Sequence, residues 1–337
     1  MEALRTAVVG TGIIGSLHAR IYAEHPLSEL VGIVDINPET AERVAEPLGV
    51  PWFTEVSDLL EACDFDAVSV SVPEHYRYDT AMPLARAGKH LLLEKPLAPT
   101  LAEADRLIAD LRATGVLTMV NFILRFDPRY AEAKAAAASG GLGEIHTIFT
   151  RRRGSYLGAE MYGVWTDLLI STGIHDLDAM AWLADSPVVR VYAETISRRL
   201  APYGHDDSAM VMVRFENGVI GVLETSWVMP NRLPAPLDAS LQAVGTGGAV
   251  FIDGSNHGLS VMNADAFSEP DLTHWPVILD RVGGDLAASL DHFIRSVREG
   301  AAPQLTLDQA RHAQAMVDAA KRSAACNAPT QLTPPPG

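Results

Sequence analysis

With 337 residues, 48% of them hydrophobic, the chain has enough apolar material for two domains on a scale of roughly 100–200 residues each. Its 42 acidic side chains outnumber 26 basic ones, for a formal charge of −16. Such a surface repels phosphate backbones and anionic lipid, which argues against nucleic-acid and membrane partners. Two cysteines, Cys63 and Cys326, are too few for a disulfide framework or a cysteine-rich zinc site.

The opening residues Met1–Gly10 lack a charged stretch followed by a long apolar one, and nowhere does an apolar run reach about 18 residues. The expected setting is a reducing cytoplasm, with no membrane span. From Thr6 onward, short runs rich in Val, Leu and Ile alternate with helical spacing. Thr6–Val9, Leu30–Asp35, Ala67–Val72, His90–Leu93 and Leu117–Val120 read as buried strands. Ile14–Glu24, Pro38–Leu48, Tyr78–Ala87 and Leu101–Ala113 read as helices, with Asn37 and Thr100 as N-terminal caps and Gly88 and Gly115 as stops. This repetition predicts an α/β domain over residues 1–122, a doubly wound parallel sheet with helices on both faces.

Beyond residue 122 the pattern changes. Asp127–Ser139 reads as an alanine-rich helix closed by Gly140-Gly141. Strands follow at Ile145–Arg153, Val188–Ser197, Ser208–Phe215, Val219–Met229, Ala239–Gly245 and Ala249–Ile252. Turns such as Glu216-Asn217-Gly218 and Gly245-Thr246-Gly247-Gly248 join several of them as hairpins. One helix, Leu168–Leu183, interrupts the strands, and two more, Asp285–Arg298 and Leu307–Ser323, close the chain. Residues 123–330 are expected to form an α+β domain with a largely antiparallel sheet, for substrate binding and subunit contacts. Residues 331–337, ending in Pro334-Pro335-Pro336-Gly337, are expected to be a loose tail. The runs Val211–Phe215 and Val219–Leu223 carry more apolar surface than a solvent-facing sheet needs. That predicts a homodimer or homotetramer built through this sheet.

The strongest local signal is Gly10-Thr11-Gly12-Ile13-Ile14-Gly15. Alone, G-x-G-x-x-G is a weak motif; here it leaves a predicted strand and opens a predicted helix, the context a Rossmann dinucleotide site requires. Gly10 serves the tight turn, Gly12 lets a pyrophosphate approach the backbone, and Gly15 lets helix and strand pack closely. Asp35 ends the next strand, 20 residues after Gly15. A carboxylate there accepts hydrogen bonds from the adenine-ribose hydroxyls and repels a 2′-phosphate, so NAD is expected over NADP.

The second signal is Glu94-Lys95-Pro96, directly after the strand His90–Leu93. Ligands of open α/β sheets bind beyond the carboxyl ends of the strands. An isolated lysine after a strand is ordinarily a surface residue. At this position, with a lowered pKa, it becomes a candidate to accept a hydroxyl proton as hydride leaves.

Taken in order, Gly10–Gly15, Asp35, Glu94-Lys95-Pro96, Arg125-Phe126-Asp127-Pro128 and Gly173-Ile174-His175-Asp176-Leu177-Asp178 resemble the Gfo/Idh/MocA family, over nearly the whole chain. The family includes glucose–fructose oxidoreductase and inositol dehydrogenase. The resemblance implies hydride transfer between NAD and a sugar, cyclitol or related carbonyl compound, and oligomers built by the C-terminal sheets. It implies that Ile36 beside Asp35, and Ser71, Val72 and Pro73 after the fourth strand, edge the cofactor, together with Glu94 and Lys95. It gives His175 the role of substrate ligand.

The chain departs from the family pattern in two places. Relatives often carry an aspartate four residues before the histidine, one helical turn away; here Ser171 stands there. Serine binds a hydroxyl but is no carboxylate base, which shifts weight to Lys95 and His175, with Asp167 as a substitute carboxylate. Arg77 stands where a histidine is common, with His75 close by in the sequence. Arg125, Arg153, Tyr156 and Trp165 are candidates for the substrate rim. Of Arg151-Arg152-Arg153, not all can face one way in a strand; surface ion pairs are an equal alternative for them. Asp176 and Asp178 beside His175 lack further ligands, so no metal is expected.

These readings converge on an NAD-dependent dehydrogenase or reductase of a secondary alcohol on a sugar or cyclitol. Lys95 moves the proton and His175 binds or polarises the reacting hydroxyl; Glu94 is the alternative base. A glycoside-cleaving enzyme that uses NAD transiently and a non-catalytic NAD-binding sensor are the rival functions.

Overall fold

The computed structural model describes residues 2–156, 166–255, 257–264 and 266–332. The chain divides into two units, Met1–Ile123 with His274–Arg311, and Leu124–Thr273 with His312–Gly337.

In the first unit, strands and helices alternate: β1 (Leu4–Val9), α1 (Ile13–Glu24), β2 (Ser28–Val34), α2 (Pro38–Leu48), β3 (Trp52–Phe53), α3 (Val56–Ala62), β4 (Ala67–Val70), α4 (Arg77–Arg86), β5 (His90–Glu94), α5 (Leu101–Thr114) and β6 (Thr118–Asn121). The six strands run parallel in the order β3-β2-β1-β4-β5-β6. This is the doubly wound sheet that the alternating pattern predicts. Its order reverses between β1 and β4, the switch point at which such sheets take their ligands. Helices cover both faces, so Ala7, Val8, Val68 and Leu91–Leu93 are fully buried. Asn37 caps α2, its Oδ1 accepting from the Glu39 and Thr40 amides, and Thr100 forms a capping box with Glu103 at α5. β3 and α3 escape a reading by period, because two residues of strand and seven of helix hold too little pattern.

The first unit also takes back His274–Arg311, which a single cut after residue 122 leaves in the second domain. The reason is non-local. The helix Gly284–Glu299 buries Leu286, Leu290, Phe293 and Ile294, and its Ser289 hydroxyl donates to Asn121 Oδ1 at 2.6 Å. The preceding hairpin, Val277–Ile278 with Arg281–Val282, is fastened to α1. There Arg20 donates to the Asp280 carbonyl at 2.5 Å, and the Val282 amide donates to Glu24 at 2.8 Å. Amphipathic spacing reveals the helix but not the surface it covers.

The second unit holds α6 (Pro128–Ala138), β7 (Ile145–Ser155), a π-helical turn at Leu169–Gly173, α7 (Ile174–Ala184), β8 (Val188–Ile196), β9 (Ser208–Phe215), β10 (Ile220–Met229), β11 (Asp238–Gly245) and β12 (Ala249–Asp253). β13 (Thr330–Gln331) completes a seven-stranded sheet ordered β12-β11-β7-β10-β9-β8-β13. Every pair is antiparallel except β7 with β10. The largely antiparallel expectation is met, with one parallel pair at the centre. On one face Val191, Val211, Val213, Leu223 and Ala243 are buried. The opposite face leaves Met210, Met212, Ile220, Val244 and Phe251 exposed. No helix among the described residues is long and apolar enough to cross a membrane.

Candidate active site

The glycine turn sits at the switch point of the parallel sheet. Gly10 has φ of +84°, and a Cβ on it would lie 2.8 Å from the Ser71 carbonyl oxygen. A Cβ on Gly15 would fall 1.8 Å from the Gly10 oxygen. Both glycines are therefore demanded by the fold itself, and they press the turn against Ser71 and Val72 at the end of β4. Gly12 differs, for its Cβ would meet no described atom within 4 Å. Its smallness leaves room for what approaches from outside. α1 has no side-chain cap and no acidic residue in its first turn among the described residues, in contrast to α2 with Asn37 and Glu39. Its first amides are left for an anion. These residues fit a dinucleotide. Thr11, Ile13 and Ile14 belong to the same turn, and Ile36 is an apolar side chain 88% exposed beside it.

Asp35 does more than the ribose role its position predicts. Its Oδ2 accepts from the Thr11 amide at 2.7 Å and the Thr11 hydroxyl at 3.0 Å, while Oδ1 accepts from the Asn37 amide at 2.9 Å. The carboxylate clamps the glycine turn to the start of α2. Of its roughly four acceptor positions, about one is left for a ribose hydroxyl.

Lys95 follows β5 with a cis bond to Pro96. Behind it lies a buried polar network that local sequence reading misses. Asn121 at the end of β6 donates to Glu94 Oε1 at 2.6 Å, and His18 of α1 lies 3.4 Å from the same oxygen. Ser289 holds Asn121 from the other side. Burial alone would raise the Glu94 carboxyl. The hydrogen bond and charge of His18, the hydrogen bond of Asn121 and the charge of Lys95 outweigh it, and Glu94 lies below its usual range. Glu94 is thus held as a carboxylate acceptor, which weakens its claim to be the proton-transfer base.

Arg77 is also part of this region, as the first residue of α4. It is 2% exposed, donates to the Val72 carbonyl at 2.5 Å, and its Nε and Nη1 have no hydrogen-bond partner among the described residues. Burial pulls its pKa down to about 10, against the charges of Glu94 and Glu74. His75 is exposed two residues earlier.

In the second unit, His175 is the second residue of α7, directly after the π-helical turn that contains Ser171. The one-turn relation between Ser171 and His175 assumes α geometry. The π turn closes wider rings than an α turn, and its last residue, Gly173, lies between Ser171 and His175. Asp167 is occupied: its Oδ1 caps the turn at the Ile170 amide, 3.0 Å away, and its Oδ2 pairs with Lys321.

The arginines separate by the alternation of β7. Arg152 faces inward, Nε 2.5 Å from Asp176. Arg153 faces outward onto Glu224 and Asp238, and Arg151 also pairs with Asp238. The structure thus places Arg153 among surface ion pairs of the sheet. Arg125, read from sequence as a rim residue, lies in the core with Nε and Nη2 on the two oxygens of Asp178 at 2.9 and 2.6 Å. Asp176 and Asp178 are the partners of these buried arginines. Tyr156 is covered by the Arg199 guanidinium, 3.6 Å from its ring centre. Trp165 lies outside the described residues.

Comparison with known proteins agrees with this geometry. Residues 4–122 match the model of the oxidoreductase family with an NAD-binding Rossmann fold, and residues 130–251 match the GFO/IDH/MocA C-terminal domain. The chain belongs to the Gfo/Idh/MocA family, and it is an NAD-dependent oxidoreductase. It is 30% identical over 310 residues to the scyllo-inositol 2-dehydrogenase (NAD(+)) of Bacillus subtilis, covering 90% of this chain and 89% of that one. It is 26% identical over 325 residues to the myo-inositol 2-dehydrogenase of Thermotoga maritima, covering 95% and 96%. The crystal structure of a putative myo-inositol dehydrogenase from Sinorhizobium meliloti has the same fold, with a TM-score of 0.87 at 24% identity over 98% of this chain and 100% of that one.

Proposed function

We propose that the protein is a cyclitol dehydrogenase, transferring hydride between NAD and a secondary alcohol of an inositol or closely related polyol. The observation that carries this reading is the Glu94–Lys95 pair at the carboxyl end of β5, backed by His18, Asn121 and Ser289. The relatives named for inositol oxidation support the substrate class.

Oxidised nicotinamide, when bound, accepts the hydride. Lys95 in its neutral form takes the hydroxyl proton as the ketone forms, and returns it in the reverse direction. His175 binds and orients the reacting hydroxyl. Glu94, fixed as a carboxylate, positions Lys95. The exposed apolar face of the second sheet is the subunit contact of a homo-oligomer. The free thiols Cys63 and Cys326 suit a cytoplasmic setting.

The test is NADH formation from a panel of inositols and sugars, with Lys95→Met beside the wild type. The expected result is turnover of at least one inositol, and a fall of about 10²–10⁴-fold in the variant with NAD binding retained. Net NADH formation also separates a dehydrogenase from a glycoside-cleaving enzyme or a sensor. If the variant keeps its turnover at saturating NAD and only binds NAD more weakly, Lys95 holds the cofactor and moves no proton.

A further inference from the structure

A cleft of about 530 Å³ opens beside the glycine turn. Gly12, Ile13 and Ser16 of α1 form one wall, Thr40 and Arg43 of α2 another, and Trp275 a third. We infer that Arg43 and Trp275 complete the cofactor site, Arg43 as the cation facing the diphosphate of NAD and Trp275 as its apolar cover. The inference rests on the NAD dependence of the chain and adds two residues to the site.

Charge makes the case for Arg43. A diphosphate approaches a chain of formal charge −16, at a corner that already holds Asp35. Helix amides supply partial charge there, but the approach of an anion is opposed without a local cation. Arg43 is the one basic residue among those lining the cleft. It is exposed, and it makes no hydrogen bond or ion pair among the described residues. Arg20 of α1 is already engaged, binding Glu24 and the Asp280 carbonyl. Arg43 stays available in a protein rich in carboxylates.

Position makes the case for Trp275. The segment that carries it is anchored on both sides. The Leu286 amide donates to the His274 carbonyl at 3.1 Å, and the Gly283 amide to the Pro276 carbonyl at 2.8 Å. The hairpin beyond is clasped to α1 through Arg20 and Glu24. Yet Trp275 stays 36% exposed where it lines the cleft. A large apolar ring held rigidly at a polar turn, and left partly in water, gains burial when a ligand fills the space before it. His274–Arg311 belong to the first unit, so these groups sit on one body with the glycine turn.

Calorimetric titration with NAD, NADP, ADP and adenosine tests the assignment. Arg43→Gln is expected to weaken NAD and ADP by about 5-fold, the upper end for a solvent-exposed ion pair, and to spare adenosine. The variant's NAD affinity should also depend less on salt. Trp275→Ala is expected to weaken NAD by about 10-fold, and Trp275→Phe to keep most of the affinity. Arg43 is exposed and makes no hydrogen bond or ion pair among the described residues, so its variant should melt like the wild type, which removes misfolding as an explanation. If Arg43→Gln weakens NADP alone, the guanidinium faces the ribose and the assignment is wrong. If both variants bind NAD as tightly as a binding-competent wild type, the inference fails while NAD dependence stands. A wild type that binds no NAD overturns both.

Discussion

The two sheets treat polar groups in opposite ways. The parallel sheet is covered on both faces, and its chemistry emerges at the ends of its strands: Gly10 after β1, Asp35 after β2, Ser71 after β4, Glu94 and Lys95 at β5, Asn121 at β6. The mixed sheet has two usable faces. Its inner face buries matched ions, Arg152 on Asp176, and its outer face carries exposed ion pairs beside bare methionines. A parallel sheet covered on both faces leaves its polar groups at an edge, whereas the mixed sheet separates buried from exposed groups by the parity of its residues.

Arg152 and Arg153 test that parity most severely, because they are neighbours in one strand. Arg152→Met leaves Asp176 buried without its counter-charge and is expected to cost about 3–5 kcal/mol in urea unfolding. Arg153→Met removes a pair whose side chains are 30% and 23% exposed, with an expected cost of about 0–1 kcal/mol. The larger loss should depend on pH. Burial pushes the Asp176 carboxyl above its ordinary value of 3.8, and Arg152 opposes the rise. Without Arg152 the folded carboxyl rises further, so the deficit grows once pH passes the wild type's own raised folded-state value, where the wild type has ionised and the variant still holds its proton. Equal losses at positions 152 and 153 would end the argument from parity.

The outer face predicts association. Met210 and Met212 are each 52% exposed, with Ile220 and Phe251 on the same face. Replacing both methionines by glutamate is expected to weaken self-association at least about 10-fold, since each buried side chain contributes roughly 1.5–3 kcal/mol. Analytical ultracentrifugation reads this directly, and a wild type that is monomeric at micromolar concentration would dismiss the interface.

The smallest expected effect is at the strand edge. Asp35→Ser removes the charge that repels a 2′-phosphate, and should narrow the preference for NAD over NADP by about 10-fold in kcat/KM. It also unlocks Thr11, so NAD affinity should fall alongside. A parent enzyme that prefers NADP would contradict the role given to Asp35.

What could be read from sequence follows the same division. The glycine turn, Asp35 and Lys95 were legible because each is fixed by its place after a strand, within a few residues of chain. The alternation of β7 was legible in principle, and it limits how many of the three arginines share a face. His18, Asn121 and Ser289 were not, since only folding brings residues so far apart in the chain onto one carboxylate. Nor was the π turn Leu169–Gly173, which precedes His175 without a marked signature in the sequence. Arg125 shows the remaining limit. An arginine after a strand and an arginine in a core look alike until Asp178 is placed beside it.

The clasp of the return hairpin onto α1 has a consequence for synthesis. The nucleotide-binding unit needs Ser289 for Asn121, Val282 for Glu24 and Asp280 for Arg20, yet all of residues 124–273 are translated in between. At about 5–20 residues per second, the N-terminal sheet waits on the ribosome for roughly 10–30 s before its last layer arrives. During that interval the apolar side chains that later pack under Leu290 and Phe293 lack their cover, so exposed apolar surface on the nascent chain is expected at its oldest end, not its newest.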